Sequence, residues 1–270
     1  MPTRITEVIG PIEMESAHAE DAAEIAAILS AGFAPEVSQL LIYGCNGAAE
    51  YIRMLIECRV PAVESVFFVA RYNGSLLGAA ELRRYPGRLF LNYIGVRSNH
   101  RGKRIGPALL RSSIALSGIP AGRIALDVLD DNTRALGWYR RLGFATRSLT
   151  DLLEISSPAG QPDGSAYISG LPQADLCQHR FGFSNFSVIA RAGMFSVGRI
   201  GESWFRLTEI AAIDDPTVFA ALNQLDPKRG IFAVVPASSV PITRTIRRLA
   251  RTHRMETDID GLLTALSYDR

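Results

Sequence analysis

Hydrophobic and polar positions repeat with two different periods along the chain, and the changes of period mark its elements. Apolar residues at helical spacing predict a helix over Glu20–Phe33. Farther on, Val66–Arg71 and Leu76–Arg83 have strand-like patterns, and Asn73-Gly74 between them is typical of a tight type I′ hairpin. A third strand is expected at Leu89–Val96. The pattern therefore predicts an antiparallel meander that follows a helical start.

From Leu89 onward, strands and helices alternate, as in α/β proteins. The order predicts an α/β (α+β) domain over residues 1–155, with a mixed central sheet flanked by helices. Besides the strand at Leu89–Val96, the elements expected in this part are a helix at Pro107–Leu116, a strand at Ile124–Leu129, a helix at Thr133–Leu142 and an extended segment at Phe144–Ile155.

Ser156–Ser165 is rich in Ser, Pro and Gly, which is typical of a linker. We assign residues 156–185 to this linker and a helix, and residues 186–270 to a second, smaller domain. Its order of elements resembles that of the first domain, which predicts a degenerate internal repeat, with chance similarity as the competing explanation. The elements expected here are strands at Phe186–Ala190, Met194–Ile200, Trp204–Ile210 and Gly230–Val235, helices at Pro216–Leu225 and Ile242–Thr252, and an extended segment at Met255–Leu266.

Four arginines fall on one face of the predicted helix Ile242–Thr252, and apolar residues lie largely opposite. A solvated or salt-bridged face explains them, and an anion-binding or docking patch is the alternative. The four are Arg244, Arg247, Arg248 and Arg251.

Composition narrows the class of protein. Hydrophobic residues make up 47% and charged residues 21% of the chain, as in ordinary globular domains. The net charge of +2 gives no reason to expect a nucleic-acid partner. Cys45, Cys58 and Cys177 form no metal-like cluster, so no metal site and a reduced, cytoplasmic protein are expected. No apolar run resembles a signal peptide or a membrane span, so no membrane partner is expected.

One loop has the composition of an anion site. The loop between the predicted strand Leu89–Val96 and the helix at Pro107 contains Gly102 and Gly106, which let the backbone approach a ligand closely. The N–H groups at a helix N-terminus are unpaired, and the helix dipole favours an anion there. Arg101, Lys103 and Arg104 add positive charge beside those amides. The loop therefore predicts a phosphate or pyrophosphate site, and a solvated basic turn that caps a helix is the alternative.

The following strand and helix narrow this further. Asn132 precedes a helix that carries Tyr139, and Leu142-Gly143-Phe144 ends that helix. With Val96, Arg101 and Gly106 at the loop, these residues resemble the two motifs of the GNAT superfamily of N-acetyltransferases, over about residues 10–155. In that family a strand ending in Val runs into a Gln/Arg-x-x-Gly-x-Gly/Ala loop. Asn, a short helix with Tyr, and Leu-Gly-Phe then follow.

The resemblance implies a GNAT fold and acetyl-CoA, or another acyl-CoA, as co-substrate. The backbone of Ile94, Gly95 and Val96 would pair with the pantetheine arm like an added strand. Asn132 would contact the pantetheine or the reacting end. Tyr139 would protonate the leaving thiolate, with a partly buried structural aromatic as the alternative. The loop residues that would surround the pyrophosphate are Arg101, Gly102, Lys103, Arg104, Ile105, Gly106 and Pro107.

Two points depart from the family pattern. Arg104 stands where the first loop glycine is usual, and an arginine there is expected to adopt a right-handed conformation. Family members often carry a Glu base on the strand before the loop, but Asn92 in that stretch cannot act as one. Asp127 and Glu81 are the candidate bases, each with a structural or solvated carboxylate as its alternative. A water chain to a backbone carbonyl is the third option.

The expected function is transfer of an acetyl or other short acyl group from CoA to a primary amine of a small molecule or peptide, by direct attack. A non-catalytic acyl-CoA-binding or sensing module and an interaction scaffold are the alternatives, and Asn132, Tyr139 and the loop argue against both. The C-terminal counterpart of the loop, Ala211–Pro216, has two acids and no Gly, Lys or Arg, so that half is not expected to bind acyl-CoA. The acceptor would be chosen by Phe33–Cys58, Leu82–Arg88 and the C-terminal half. A homodimer is left open.

Overall fold

A computed structural model describes residues 11–58, 64–118, 122–162, 164–239 and 244–268. The described residues form the strands β1 (Glu13–Ser16), β2 (Ser65–Tyr72), β3 (Ser75–Tyr85), β4 (Arg88–Val96), β5 (Arg123–Leu129), β6 (Ala145–Ile155), β7 (Tyr167–Ser169), β8 (Phe183–Ala190), β9 (Gly193–Ile200), β10 (Trp204–Leu207), β11 (Gly230–Pro236) and β12 (Thr245–Asp258). The helices are α1 (Ala22–Ser30), α2 (Pro35–Ser38), α3 (Ala48–Glu57), α4 (Ile105–Leu116), α5 (Thr133–Arg141), α6 (Leu171–Phe181), α7 (Ile210–Asp214), α8 (Pro216–Leu225) and α9 (Ile259–Tyr268).

The strands form one mixed sheet in the order β1-β2-β3-β4-β5-β12-β6-β11-β10-β9-β8-β7. If β1 is matched with β7, β2 with β8, and so on to β6 with β12, the order read from the β1 edge is the same as the order read from the β7 edge. The two halves of the chain therefore have the same sheet topology. This result agrees with the internal repeat predicted from the sequence and confirms the mixed sheet flanked by helices.

The last strand of each half lies in the territory of the other half. β12 inserts between β5 and β6 and pairs with both, while β6 pairs with β11 on its far side. The sheet thus runs without a break through the predicted domain boundary at residue 155. That boundary stays a prediction, because each half takes one strand of its sheet from the other.

The sheet has two unlike faces. On the first, called here the outer face, α4, α5 and α9 cover one half and α7 and α8 the other. On the second, the inner face, α1 and α3 cover the first half. Leu40 and Cys45, from the segment between α1 and α3, pack on the inner face against Trp204 and Phe232 of the second half. The predicted acceptor segment Phe33–Cys58 is therefore held by both halves.

The prediction of a helix at Ile242–Thr252 was wrong, although its first two residues lie outside the described ranges. Residues from Thr245 belong to β12, whose pairing with β6 shifts register near Ile246 and Leu249. These bulges interrupt the alternation of side chains between the two faces of the sheet. The apolar residues of this strand are therefore spaced as in a helix. The four arginines do not share a helical face. Arg251, for example, donates two hydrogen bonds to Asp151 of β6.

The extended segment predicted at Met255–Leu266 was also wrong beyond Asp258, because α9 begins at Ile259. The Asp258 side chain accepts a hydrogen bond from the Gly261 N–H at 2.6 Å, as an N-terminal cap does. Most other predicted elements are confirmed within a few residues, including the Asn73-Gly74 turn, where both residues have positive φ. No helix among the described residues is long and apolar enough to span a membrane.

Candidate functional site

The site begins where two parallel strands separate. β4 pairs with β5 only over Arg88–Leu91 and Arg123–Leu126. β4 continues to Val96 and β5 to Leu129, but no pairing between them is found beyond these residues in the described part of the chain. The backbone of residues 92–96 therefore borders an opening between the strands. An extended chain could pair with it as an added strand does.

A bulge in β4 marks the start of this opening. Glu81 of β3 lies opposite Tyr93, whereas Leu82 lies opposite Leu91, so Asn92 is the extra residue. The Asn92 amide donates a hydrogen bond to Glu81 at 2.6 Å, which ties the bulge to β3. The pairing of β4 with β5 ends at Leu91, the residue before this bulge.

Glu81 is completely buried on the inner face. Besides the Asn92 amide, its carboxylate accepts hydrogen bonds from the hydroxyls of Tyr43 at 2.6 Å and Ser65 at 2.9 Å, and it pairs with Arg83 at 3.3 Å. Burial, followed by the charge of Glu81, raises the pKa of Tyr43. The carboxylate is thus enclosed by donors and has no open approach for a second group.

The opening is followed by the N-terminus of α4. The capping residue, Arg104, provides no side-chain cap for the helix amides. The first N–H groups, those of Ile105 and Gly106, have no acceptor one turn earlier, and Pro107 has no N–H. Gly102, with φ of 81°, needs the left-handed region that glycine adopts freely. These amides are therefore available to an anion.

Arg104 itself has φ of 60° and ψ of 16°, so the expectation of a right-handed conformation was wrong. The left-handed region costs a non-glycine residue about 1 kcal/mol. The loop geometry thus requires the conformation that a glycine would provide, and the arginine adopts it under strain. Lys103 and Arg104 are exposed and have no hydrogen-bond or ion-pair partner among the described residues, so both charges remain available.

The loop is anchored at its start. Arg97 donates a hydrogen bond to the Leu76 carbonyl at 2.6 Å and pairs with Glu24 of α1, and Arg101 donates to the Val96 carbonyl at 3.1 Å. Gly95 lies directly under α1, where an added Cβ would be 2.9 Å from the Ile28 carbonyl oxygen. Only glycine allows this approach, so α1 holds the end of β4 in place.

Asn132 caps α5, because its side-chain oxygen accepts a hydrogen bond from the Ala135 N–H at 3.1 Å. This role is structural, and it leaves the exposed Asn132 amide nitrogen facing solvent. The predicted contact with pantetheine would use that nitrogen.

Tyr139 lies on the outer face, 6% exposed, against Leu136, Phe144 and the core of the first half. Its hydroxyl has no hydrogen-bond partner within the described ranges. Burial raises the pKa of Tyr139 well above that of a free tyrosine. The phenol therefore stays protonated at neutral pH and is a poorer acid than an exposed tyrosine.

Asp127 lies on the opposite, inner face, next to the last paired residue of β5. Both of its oxygens accept hydrogen bonds from Arg254 of β12, at 2.5 and 2.8 Å, and the Arg254 guanidinium lies over the Phe90 ring. A cavity of about 290 Å³ on this face is lined by Arg83, Tyr85, Arg88, Leu89, Phe90, Asn92, Ala125, Asp127 and Arg254. Unlike Glu81, Asp127 is therefore accessible.

The arrangement joins most of the residues predicted from the sequence. The loop amides follow the free edge of β4, and Asp127 and Asn92 line the cavity on its inner side. Tyr139 lies in the outer-face core, against which Ile94 and Val96 of β4 pack. Sequence reasoning did not identify Tyr43, Ser65 or Arg254, because partners for Glu81 and Asp127 come from distant segments. In the part of the chain that the structure describes, no group of three or more His, Cys, Asp or Glu side chains could hold a metal ion.

Comparison with known proteins agrees with this geometry. Residues 43–144 match the model of the acetyltransferase (GNAT) family. Three solved structures are similar over almost the whole chain. A candidate acetyltransferase from Pyrococcus horikoshii is 13% identical, with a TM-score of 0.60 over 96% of this chain and 92% of that one.

The second structure is a GCN5-related N-acetyltransferase from Sphaerobacter thermophilus, 12% identical, with a TM-score of 0.58 over 92% of this chain and 96% of that one. The third is a tandem GNAT protein from the clavulanic acid biosynthesis pathway, 12% identical, with a TM-score of 0.61 over 92% and 98%. At these identities the similarity shows the fold. Residues 43–144 thus match a GNAT-family acetyltransferase domain, and the chain as a whole has the fold of GNAT proteins.

Proposed function

We propose that this protein transfers an acetyl or other short acyl group from acyl-CoA to a primary amine of a small molecule or peptide. The observation that carries the proposal is the early separation of β4 from β5 directly before an uncapped, basic helix N-terminus. The opening suits the extended pantetheine arm, along Ile94, Gly95 and Val96. The amides and charges of residues 101–107 suit the pyrophosphate, because they combine free N–H donors with unpaired cations.

In this proposal the two sides of the opening have different tasks. The amine approaches from the inner face and attacks the thioester carbonyl, so that a C–N bond forms and the C–S bond breaks. Tyr139, on the outer face, donates its proton toward the leaving sulfur. A thiol has a pKa near 8.5, so transfer from a free tyrosine is uphill by about 2 kcal/mol, and burial of Tyr139 increases that difference. The phenol therefore acts chiefly as a hydrogen-bond donor until the C–S bond is largely broken.

The proton lost by the amine needs an acceptor on the inner face. We propose Asp127 for this role, because it borders the cavity, and we propose that Glu81 positions the β4 bulge through Asn92. Arg254 occupies both Asp127 oxygens, so Asp127 can accept a proton only if this pair loosens. An α-amine, with a pKa near 8, needs only about 1 kcal/mol to be neutral at pH 7, against 4–5 kcal/mol for a lysine-like amine. A weakly basic acceptor therefore suits this site best.

A screen of amines that follows release of the CoA thiol tests the proposal, together with thermal unfolding in acetyl-CoA. At one hundred times its dissociation constant, acetyl-CoA should stabilise the protein by about 2.7 kcal/mol. If acetyl-CoA neither raised the melting temperature nor bound, the proposed acyl-CoA site would be wrong. A shift without thiol release, for every amine and acyl chain offered, would leave the non-catalytic binding module as the function. The cytoplasmic location, the absence of nucleic-acid and membrane partners, and the homodimer stay predictions.

A further inference from the structure

Arg206 of β10 lies on the inner face, and its guanidinium lies over the backbone of the neighbouring strand β9. It pairs in register with Gly198 of β9. A Cβ atom added to Gly198 would lie 3.1 Å from Nε of Arg206 and 3.4 Å from Nη2. The glycine therefore makes the space in which this guanidinium sits.

Arg206 has no hydrogen-bond or ion-pair partner among the described residues. Other arginines of the second half are paired, such as Arg199 with Asp175 and Arg229 with Asp226. Burial lowers the pKa of Arg206, and the charge of Arg83 lowers it further against the opposing effect of Tyr93. A half-buried cation beside a second cation is unfavourable unless an anion joins them.

The same strand holds a second donor without an acceptor. Trp204 is two residues before Arg206, so both side chains point to the inner face. Its indole N–H is enclosed and has no acceptor in the described part of the chain. Arg206 itself is half-buried, so part of its side chain remains exposed on the inner face.

This position is close to the reacting end of the proposed acyl-CoA site. In a flat sheet β4 and β10 would be about 24 Å apart, since five strand spacings separate them. Yet Leu40 and Cys45 pack against Trp204 of β10, and Tyr43 of the same segment lies with its ring 4.6 Å from that of Tyr93 of β4, so one segment bridges the two strands on the inner face. Tyr93 also contacts the rings of Phe33 and Tyr43. The segment that contacts the β4 bulge through Tyr93 thus also packs against the strand that carries Arg206.

We propose that the acceptor amine carries a carboxylate, and that Arg206 of the second half binds this carboxylate on the inner face, where Arg83 lines the cavity. The inference rests on the proposed function. It gives the second half a part in choosing the acceptor, because that half supplies the unpaired cation. A guanidinium and a carboxylate match in shape and charge, and Glu81 is already enclosed by its own donors. The substrate class is an amine with a carboxylate a few bonds away, as in amino acids.

Kinetics with matched acceptors test this inference. Amino acids should be acetylated with a KM about tenfold to hundredfold lower than that of their neutral amides, and Arg206→Gln should remove most of this difference. The variant should leave the dissociation constant of acetyl-CoA and the KM of neutral amines within twofold. Lys228→Gln removes an equal charge from an exposed turn and should change neither ratio.

Binding gives a second readout that does not depend on turnover. With CoA present, calorimetry should show tighter binding of an N-acetylated amino acid than of its amide, and Arg206→Gln should remove the preference. Gly198→Ala retains Arg206 but displaces its guanidinium, so it should weaken binding of the same probe while the melting temperature reports folding. Equal affinity for acid and amide, or a stronger preference for an amine with a phosphate, would contradict the proposal that the acceptor carries a carboxylate. If no amine is acetylated and acetyl-CoA does not bind, the proposed function fails instead.

Discussion

The two halves contain the same strand, helix and strand unit, and they use its helix N-terminus in opposite ways. In the first half α4 begins after Arg104, which leaves the helix amides uncapped beside Lys103, a cation with no partner among the described residues. In the second half α8 begins after Asp215, whose carboxylate accepts a hydrogen bond from the Thr217 N–H at 2.8 Å. One helix end is open to an anion, and the other is already occupied by an anion of the chain.

The strands that precede these two helices also differ, in how far they pair with the parallel strand beside them. β4 separates from β5 after Leu91, whereas β10 pairs with β11 along its whole length. The second half therefore has the topology without the opening. A common fold does not by itself create the site, which needs both an early end to strand pairing and an uncapped helix.

The connection that follows the two parallel strands also differs between the halves. In the first half α5 links β5 to β6 and carries Asn132 as its cap and Tyr139 in its middle. In the second half, the described residues 237–239 and 244 between β11 and β12 form no helix. A counterpart of Tyr139 is therefore lacking in the described part of the second half.

The largest predicted effect concerns the strand that the second half supplies to the first. Met255 of β12 is fully buried among α4, α5 and α9. Met255→Ala should lower the free energy of unfolding by about 2–5 kcal/mol, because it leaves a cavity in the core of the first half. Acetyl-CoA binding should weaken with it at temperatures where the variant begins to unfold. Chemical denaturation with and without acetyl-CoA measures both effects.

Met194→Ala is the matched control, since Met194 of β9 is 67% exposed. It should change stability by less than about 0.5 kcal/mol. If Met255→Ala instead destabilised residues 186–236 while leaving the acetyl-CoA site intact, β12 would be part of an independent second domain.

Tyr139→Phe tests a group that has no counterpart in the described part of the second half. The turnover number should fall about a hundredfold, since donation to the leaving sulfur is lost, while acetyl-CoA affinity stays within twofold. Because burial raises the pKa of Tyr139, the wild-type rate should not decline near pH 10 through this group. Steady-state kinetics from pH 6 to pH 10 and calorimetry with acetyl-CoA separate the two effects. Unchanged turnover would assign Tyr139 to the core alone.

Arg104→Asp makes the first helix end resemble the second. The new carboxylate would replace a cation with an anion beside the proposed pyrophosphate position, so acetyl-CoA should bind about thirtyfold more weakly. Arg104→Gly is the control that removes the charge and also relieves the left-handed strain, so it should bind acetyl-CoA more tightly than Arg104→Asp does. It should also melt at a higher temperature than the wild type. Equal affinity in the aspartate variant and the wild type would mean that the anion binds elsewhere.

Local patterns in the sequence predicted the elements of the first half well, because its hairpin turn, loop and helix ends depend on neighbouring residues. The exchange of β6 and β12 was not predictable in this way, since strand pairing between distant segments leaves no local mark. The bulges of β12 concealed its period, and the arginines there suggested a helix. The enclosure of Glu81 by Tyr43 and Ser65 likewise depends on three separate segments. The left-handed conformation of Arg104 and the helix α9 after its Asp258 cap were local errors, and the family's glycine at the Arg104 position was the signal for the first.

The smallest predicted effect concerns the occupied helix end of the second half. Asp215→Ala removes the cap of Thr217 and should lower the free energy of unfolding by about 1 kcal/mol, whereas Asp215→Asn, which can still cap, should stay within a few tenths. Neither variant should create a second acyl-CoA site, because β10 remains fully paired with β11 and the segment Ala211–Pro216 has no basic residue. Calorimetry should therefore give one acetyl-CoA per chain for both variants. A stoichiometry of two for Asp215→Ala would mean that the capping carboxylate alone keeps the second half from binding, and that the opening beside β4 is not required.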